Sequence, residues 1–121
     1  MYVRNMEIRR RDTPETTILD VAGEIDLYNA DVLKQTLSNL AVEAQPRRVL
    51  VNLSGVSYVD SSGIGALISG KGALEKKGSV FGLCALAGSV RAVMQMTKLL
   101  AFFQVFDSES DAIASWSLLS A

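Results

Sequence analysis

The segment from Val49 to Gly65 constrains this chain more than any other. It opens with Val49-Leu50-Val51-Asn52-Leu53, a nearly unbroken apolar run of the kind that forms a strand buried on both faces. Ser54-Gly55 and Ser57 then carry turn chemistry, which predicts a polar loop after Leu53. Asp60, Ser61 and Ser62 follow, residues whose side-chain oxygens accept bonds from the unpaired amides of a helix's first turn. Gly63-Ile64-Gly65 starts that helix. A buried strand handing over to a helix through small hydroxyls and one carboxylate points to an α/β sheet, with these groups at the strand's carboxyl end. That edge is where open α/β sheets bind their ligands and partners.

The order of the remaining segments extends this picture. Met6 and Ile8 alternate with Glu7 and Arg9 as a half-buried strand, Arg11 to Glu15 turns the chain, and Thr17 to Ala22 returns as an antiparallel strand. Gly23-Glu24-Ile25-Asp26 leaves that strand, and Asn29 is expected to cap the next helix. In that helix Ala30, Leu33, Leu37, Leu40 and Ala41 recur at helical spacing, with an end near Gln45-Pro46. In the helix after Asp60, Ile64, Leu67, Ile68 and Leu74 give one apolar stripe, and Gly78 is expected to close it. Gly63, Gly65, Gly70 and Gly72 interrupt it, each costing about 1 kcal/mol against alanine, so close approach by a neighbouring element or a partner is expected there.

Val80 to Leu86 is a further buried strand and Gly88-Ser89 begins a short helix with Val90, Val93 and Met94 on one side. Met94 and Met96 read as packing residues. Phe102 to Phe106 is the last strand, and Ser108-Glu109-Ser110-Asp111 resembles a capping box. Ala112, Ile113, Trp116 and Leu119 are expected to seat the terminal helix on the core. The expectation is a single α/β domain over residues 1–121, in the order β-β-α-β-α-β-α-β-α. Its mixed, mostly parallel sheet has Val49 to Leu53 at its centre, an antiparallel edge strand at Met6 to Ile8, and helices packed against it.

Composition narrows the function. Twelve basic against thirteen acidic residues leave a net charge of -1, without the electrostatic footprint of a nucleic-acid binder. The local cluster Arg4, Arg9, Arg10, Arg11 reads as a solvated edge and turn. The single Cys84 excludes an internal disulfide and reads as a small buried hydrophobe. No apolar run approaches the ~20 residues of a membrane span, and Met1-Tyr2-Val3-Arg4 lacks the apolar region of a signal peptide, so the cytoplasm is the expected location. Histidine is absent, which removes the usual general base for a serine nucleophile and the commonest metal ligand. No G-x-S-x-G elbow surrounds Ser61, Ile68 stands where a dinucleotide fingerprint needs its third glycine, and Gly70-Lys71-Gly72 lacks the hydroxyl of a P-loop. The chain is therefore expected to be neither an enzyme nor a holder of metal or cofactor.

What remains is an exposed hydroxyl at a helix start. A phosphate there would meet the positive end of a helix dipole yet stand beside the charge of Asp60. Gaining nearly two negative charges on a docking surface changes affinity through repulsion and desolvation. A plain Asp/Ser helix cap accounts for the same residues, and their types alone leave both readings open.

Tyr58-Val59-Asp60-Ser61-Ser62-Gly63-Ile64-Gly65 resembles the phosphorylation-site motif of bacterial anti-sigma factor antagonists, in the sulphate transporter and anti-sigma factor antagonist (STAS) domain family. The resemblance covers nearly the whole chain. Gly23-Glu24-Ile25-Asp26 is similar to the family's turn before its first helix, Val49 to Leu53 to its central strand, and Gly78 to Ala85 to the strand after the motif helix. Thr97-Lys98-Leu99 departs from it, occupying a place where glycine is frequent. The resemblance implies that Ser61 is the phosphoacceptor, with Ser62 in the same helix start. It implies an unphosphorylated form that binds an anti-sigma factor which is also a serine kinase, so releasing sigma factor. Phosphorylation by that kinase with ATP dissociates the pair, and a metal-dependent serine phosphatase resets it. Implied contacts are Asp26, Leu27 and Tyr28 from one loop and Asp60, Ser61, Ser62, Gly63, Ile64 and Gly65 from the motif. A second reading is a STAS accessory subunit of a transport or stress-signalling assembly that is not phosphorylated. A phosphoaspartate receiver fits poorly: Asp26 has no acidic neighbour to pair with, and Asp107, not lysine, follows the last strand.

Overall fold

A computed structural model describes residues 1–43 and 47–119, the side chain of Leu119 excepted. The elements are β1 (Tyr2–Val3), β2 (Met6–Asp12), β3 (Thr16–Ile25), α1 (Ala30–Ala41), β4 (Arg48–Val59), α2 (Ser61–Lys76), β5 (Val80–Cys84), α3 (Gly88–Met96), a 3-10 turn at Leu100–Phe102, β6 (Gln104–Phe106) and α4 (Glu109–Leu119). Among the described residues the sheet has six strands in sequence order, β1 to β6. β1, β2 and β3 pair antiparallel, whereas β3 to β6 pair parallel, joined by helical crossovers. Val49 to Leu53 lies at the centre, as expected. Met6 to Ile8 is antiparallel but not the edge: the two-residue β1 covers it, tied by the Ile8 amide donating to the Met1 carbonyl at 2.7 Å. So short a strand has no periodicity to detect.

The expected loop at Ser54 to Ser57 is instead part of β4, which runs without a break to Val59. Its turn residues became two bulges. β4 gains one residue on β3 between Asn52 and Gly55, and a second between Val56 and Tyr58. The Ser54 amide donates to Asn52 Oδ1 at 3.0 Å, and Gly55 lies so close to Ala22 that a Cβ would stand 2.9 Å from that methyl. The extra residues keep Leu53, Val56 and Val59 all on the core side, where strict alternation would have turned Val56 outward. In the same way β3 continues through Gly23-Glu24 to Ile25, and the terminal strand is shorter than expected because Leu100 to Phe102 wind into the 3-10 turn.

α1, α2 and α3 cover one face of the sheet through Leu33, Leu37, Ile64, Leu67, Leu74, Val90 and Met94. Gly70 lets α2 approach α1: a Cβ there would meet the Leu37 side chain at 2.2 Å. On the other face Trp116 and Ala112 of α4 pack on Ile18, Leu50 and Cys84. Trp116 also donates its indole N–H to Gln104 at 3.0 Å. Ser108 Oγ accepts from the Asp111 amide at 3.1 Å, the first half of the expected capping box. Ile113 points outward at 37 % exposure, so Trp116 and Ala112 carry the burial expected of it, while the Leu119 side chain falls outside the described residues. Met96 is 84 % exposed, contrary to expectation, because the buried side of α3 is set by Val90 and Met94. Gln45-Pro46, the expected helix end, lies outside the described residues; α1 itself closes at Val42.

Within the arginine cluster, Arg9, Arg10 and Arg11 are exposed but paired with carboxylates. Arg10 forks onto Glu43 at 2.8 and 2.9 Å, and Arg11 bridges Asp20 and Glu109, holding the Glu109 carboxyl below the ordinary range and linking α4 to the sheet. Exposed pairs of this kind contribute about 0–1 kcal/mol each. No helix among the described residues is long and apolar enough to cross a membrane.

Two local features are open to direct test. Cys84 is buried, and burial, with the Glu109 charge next, pushes its thiol up to about 11. It is expected to react slowly with a thiol reagent in native buffer and fast in denaturant; equal rates would show β5 exposed. Lys98 takes the left-handed conformation, φ 61°, in the cap after α3, where the Lys98 amide bonds Gln95 and the Leu99 amide bonds Met94. Lys98→Gly is therefore expected to stabilise the fold by about 0.5–1 kcal/mol, read as a rise in Tm of a few degrees. A fall in Tm would contradict this.

Candidate functional site

β3 and β4 run parallel and end side by side, with Ile25 opposite Val59. Each then leaves the sheet into a helix start, so two loops converge at one carboxyl edge. The Asp60 amide donates to the Ile25 carbonyl at 3.1 Å, fastening the second loop to the first.

Asp60 organises the edge. Its backbone is extended, and Oδ1 accepts from the Ser62 and Gly63 amides at 2.8 and 3.1 Å, the expected N-cap of α2. Its other oxygen accepts from the Leu27 amide at 3.1 Å. One carboxylate thus caps a helix and fixes the neighbouring loop. That loop is tightened by Asp26, whose Oδ1 accepts from the Tyr28 amide at 2.9 Å.

The consequence is a small exposed surface. Leu27 and Tyr28 stand 70 % and 71 % exposed, large apolar side chains that the fold itself does not bury. Ser61, first residue of α2, is exposed, and so is Gly65 one turn later. A groove of about 360 Å³ runs between the two helix starts, lined by Leu27, Ala30, Asp31, Lys34, Ser62, Gly65 and Ala66. Asp26, Asp60 and Ser62 are half-buried around it. Gly63 and Ile64 lie beneath this surface. Ile64 is in the core, and Gly63 is buried because a Cβ would meet Val59 and Ile25 methyls at 2.6 and 2.7 Å. Gly65 has nothing within 4 Å of a would-be Cβ, so internal packing does not require glycine there.

These groups have a definite chemistry. The Ser62 and Gly63 amides at the start of α2 are already occupied by Asp60. A phosphoryl group on Ser61 would not be drawn into an anion nest. It would stand at the surface beside the Asp60 carboxylate, adding charge to the patch formed with Leu27 and Tyr28. No group of three or more His, Cys, Asp or Glu side chains fit to hold a metal ion occurs among the described residues.

Asn29 is where the sequence reading fails. It precedes α1, but its side chain makes no capping bond. It is fully buried, accepts from the Asp26 amide at 2.9 Å, and donates to the Arg4 and Glu24 carbonyls at 2.8 Å each. Asparagine at a helix start signals a cap, and nothing local reveals a partner 25 residues upstream. Asp31 and Lys34 line the groove as well, although on an amphipathic helix they read only as solvated positions.

The STAS domain family model matches residues 5–112. The anti-sigma-B factor antagonist of Listeria monocytogenes is 30% identical over 107 residues, covering 88% of this chain and 92% of its own. The crystal structure of an anti-sigma factor antagonist from Mycobacterium paratuberculosis superimposes with a TM-score of 0.81 at 24% identity, over 91% of this chain and 92% of that one. The Bacillus cell fate determinant SpoIIAA in its phosphorylated form gives 0.69 at 22% identity, over 90% and 98%. The two structures share the fold.

Proposed function

This chain belongs to the STAS domain family, and from that premise we propose that it is an anti-sigma factor antagonist, switched by phosphorylation of Ser61. One observation carries the reading: an exposed serine opens α2 beside Asp60, flanked by Leu27 and Tyr28, whose large side chains the fold leaves mostly exposed. The curated relative from Listeria monocytogenes bears the antagonist name. In the unphosphorylated state the patch, with Asp26, Ser62 and Gly65 around it and Gly63 and Ile64 supporting it, docks an anti-sigma factor with serine-kinase activity, freeing sigma factor.

ATP belongs to that partner, so this chain supplies a nucleophile and a surface. The Ser61 Oγ attacks the γ-phosphorus, the bond to ADP breaks, and the hydroxyl proton passes to a base of the kinase. The Asp60 carboxylate is committed to three backbone amides, which disfavours it as that base. A metal-dependent serine phosphatase restores the hydroxyl, and the cycle operates in the cytoplasm. Incubation with the anti-sigma kinase and ATP is expected to place one phosphate on Ser61. Ser61→Ala should abolish that transfer and keep the complex. Label mapping to Ser62, or labelling that survives Ser61→Ala, would defeat the assignment.

A further inference from the structure

We infer that Asn29 is a positioning residue, the buried pin that presents Leu27 and Tyr28 beside Ser61; this rests on the docking role proposed above. Its amide donor group spans two carbonyls from different parts of the fold, Arg4 in the β1–β2 turn and Glu24 at the end of β3, at 2.8 Å each. Its oxygen receives the Asp26 amide at 2.9 Å, at the entry to the loop. The loop between is only Asp26 to Tyr28, and Asp60 takes the Leu27 amide from the opposite side. Leu27 and Tyr28 are therefore held from two directions although their side chains are exposed.

The β1–β2 turn is a built support rather than a loose end. Arg4 and Asn5 both have positive φ, 38° and 68°, as a tight two-residue hairpin turn requires. The Asn5 carbonyl accepts from the Glu24 amide at 3.0 Å, and the Arg4 guanidinium lies 5.7 Å from the Tyr28 ring centroid. Asn29 joins this turn to the loop. A residue needed only to start α1 would cap it, and Asn29 does not. Holding the loop in one conformation spares the partner the cost of ordering it on binding.

Asn29→Ser tests this, because serine can cap α1 but has one O–H donor for two carbonyls. Asn29→Asp is the second variant, matching the shape while removing both donors. Two measurements are made on the full chain: amide hydrogen exchange, and ATP-dependent labelling of Ser61 by the anti-sigma kinase at varied antagonist concentration. Exchange at Asp26 and Leu27 is expected to rise at least tenfold while that of Leu67 and Leu74 in α2 stays unchanged. KM for the antagonist is expected to rise about tenfold with kcat unaltered, since Ser61 stays on a capped helix. Loop amides that stay protected, or freed amides with an unchanged KM, would overturn the role of Asn29. A parent protein that the kinase neither binds nor labels would overturn the docking reading instead.

Discussion

Ser61→Asp is expected to bind the anti-sigma partner at least about a hundredfold more weakly than the parent, a loss of about 2.7 kcal/mol. Ser61 is exposed at the first position of α2, so the new carboxylate does not disturb packing, and Tm should hardly move. The loss arises on docking. Asp60 cannot turn away to relieve the added charge, because its two oxygens are engaged by the Leu27, Ser62 and Gly63 amides. Two like charges must then be desolvated together against the partner. Titration calorimetry with parent, Ser61→Ala and Ser61→Asp separates charge from size: alanine should bind like the parent. Binding of Ser61→Asp at parental affinity would remove electrostatic repulsion as the basis of the switch.

Gly23→Ala is expected to destabilise the fold by about 3 kcal/mol or more, the largest stability effect of any single methyl added here. Gly23 has φ +100°, which alanine rarely adopts, and its Cβ would stand 2.0 Å from the Asn5 carbonyl oxygen. That oxygen belongs to backbone already bonded to the Glu24 amide, so relief requires moving the β1–β2 turn. Gly72→Ala is the control. It lies on α2 with nothing within 4 Å of its Cβ, and should gain up to about 1 kcal/mol from helix propensity alone. Urea unfolding of both variants decides the matter. A Gly23→Ala protein as stable as the parent would show that the turn is not seated on β3.

The two glycines show how much was legible beforehand. Gly23 reads in the sequence only as the exit from a strand, whereas Gly72, like Gly63, Gly65 and Gly70, interrupts a helical pattern and is identified as an anomaly without its sign. Gly70 and Gly63 are needed against Leu37 and Val59, residues far away or on the preceding strand, whereas Gly65 and Gly72 face open space. Only the tertiary structure separates the two kinds.

Apolar periodicity determined the architecture. The buried run at Val49 to Leu53, the helical spacing of Leu33, Leu37 and Leu40, and the Asp60 cap are local signals, and each element formed where local chemistry and burial agree. The position of the candidate site was legible for the same reason, since a cap after a buried parallel strand lies at the sheet's carboxyl edge. Long-range pairing decided the rest. Ser54 and Ser57 carry turn chemistry, but β4 stays paired with β3 on one side and, over its first half, with β5 on the other, so the surplus residues became bulges that kept Val56 and Val59 in the core. Asn29 has the chemistry of a cap, but two carbonyls brought to it by β3 and the β1–β2 turn hold its side chain in place, and burial without them would leave polar atoms unpaired. Residue types specified what each side chain was able to bond; the tertiary structure, by bringing distant backbone within reach, decided which bond it made.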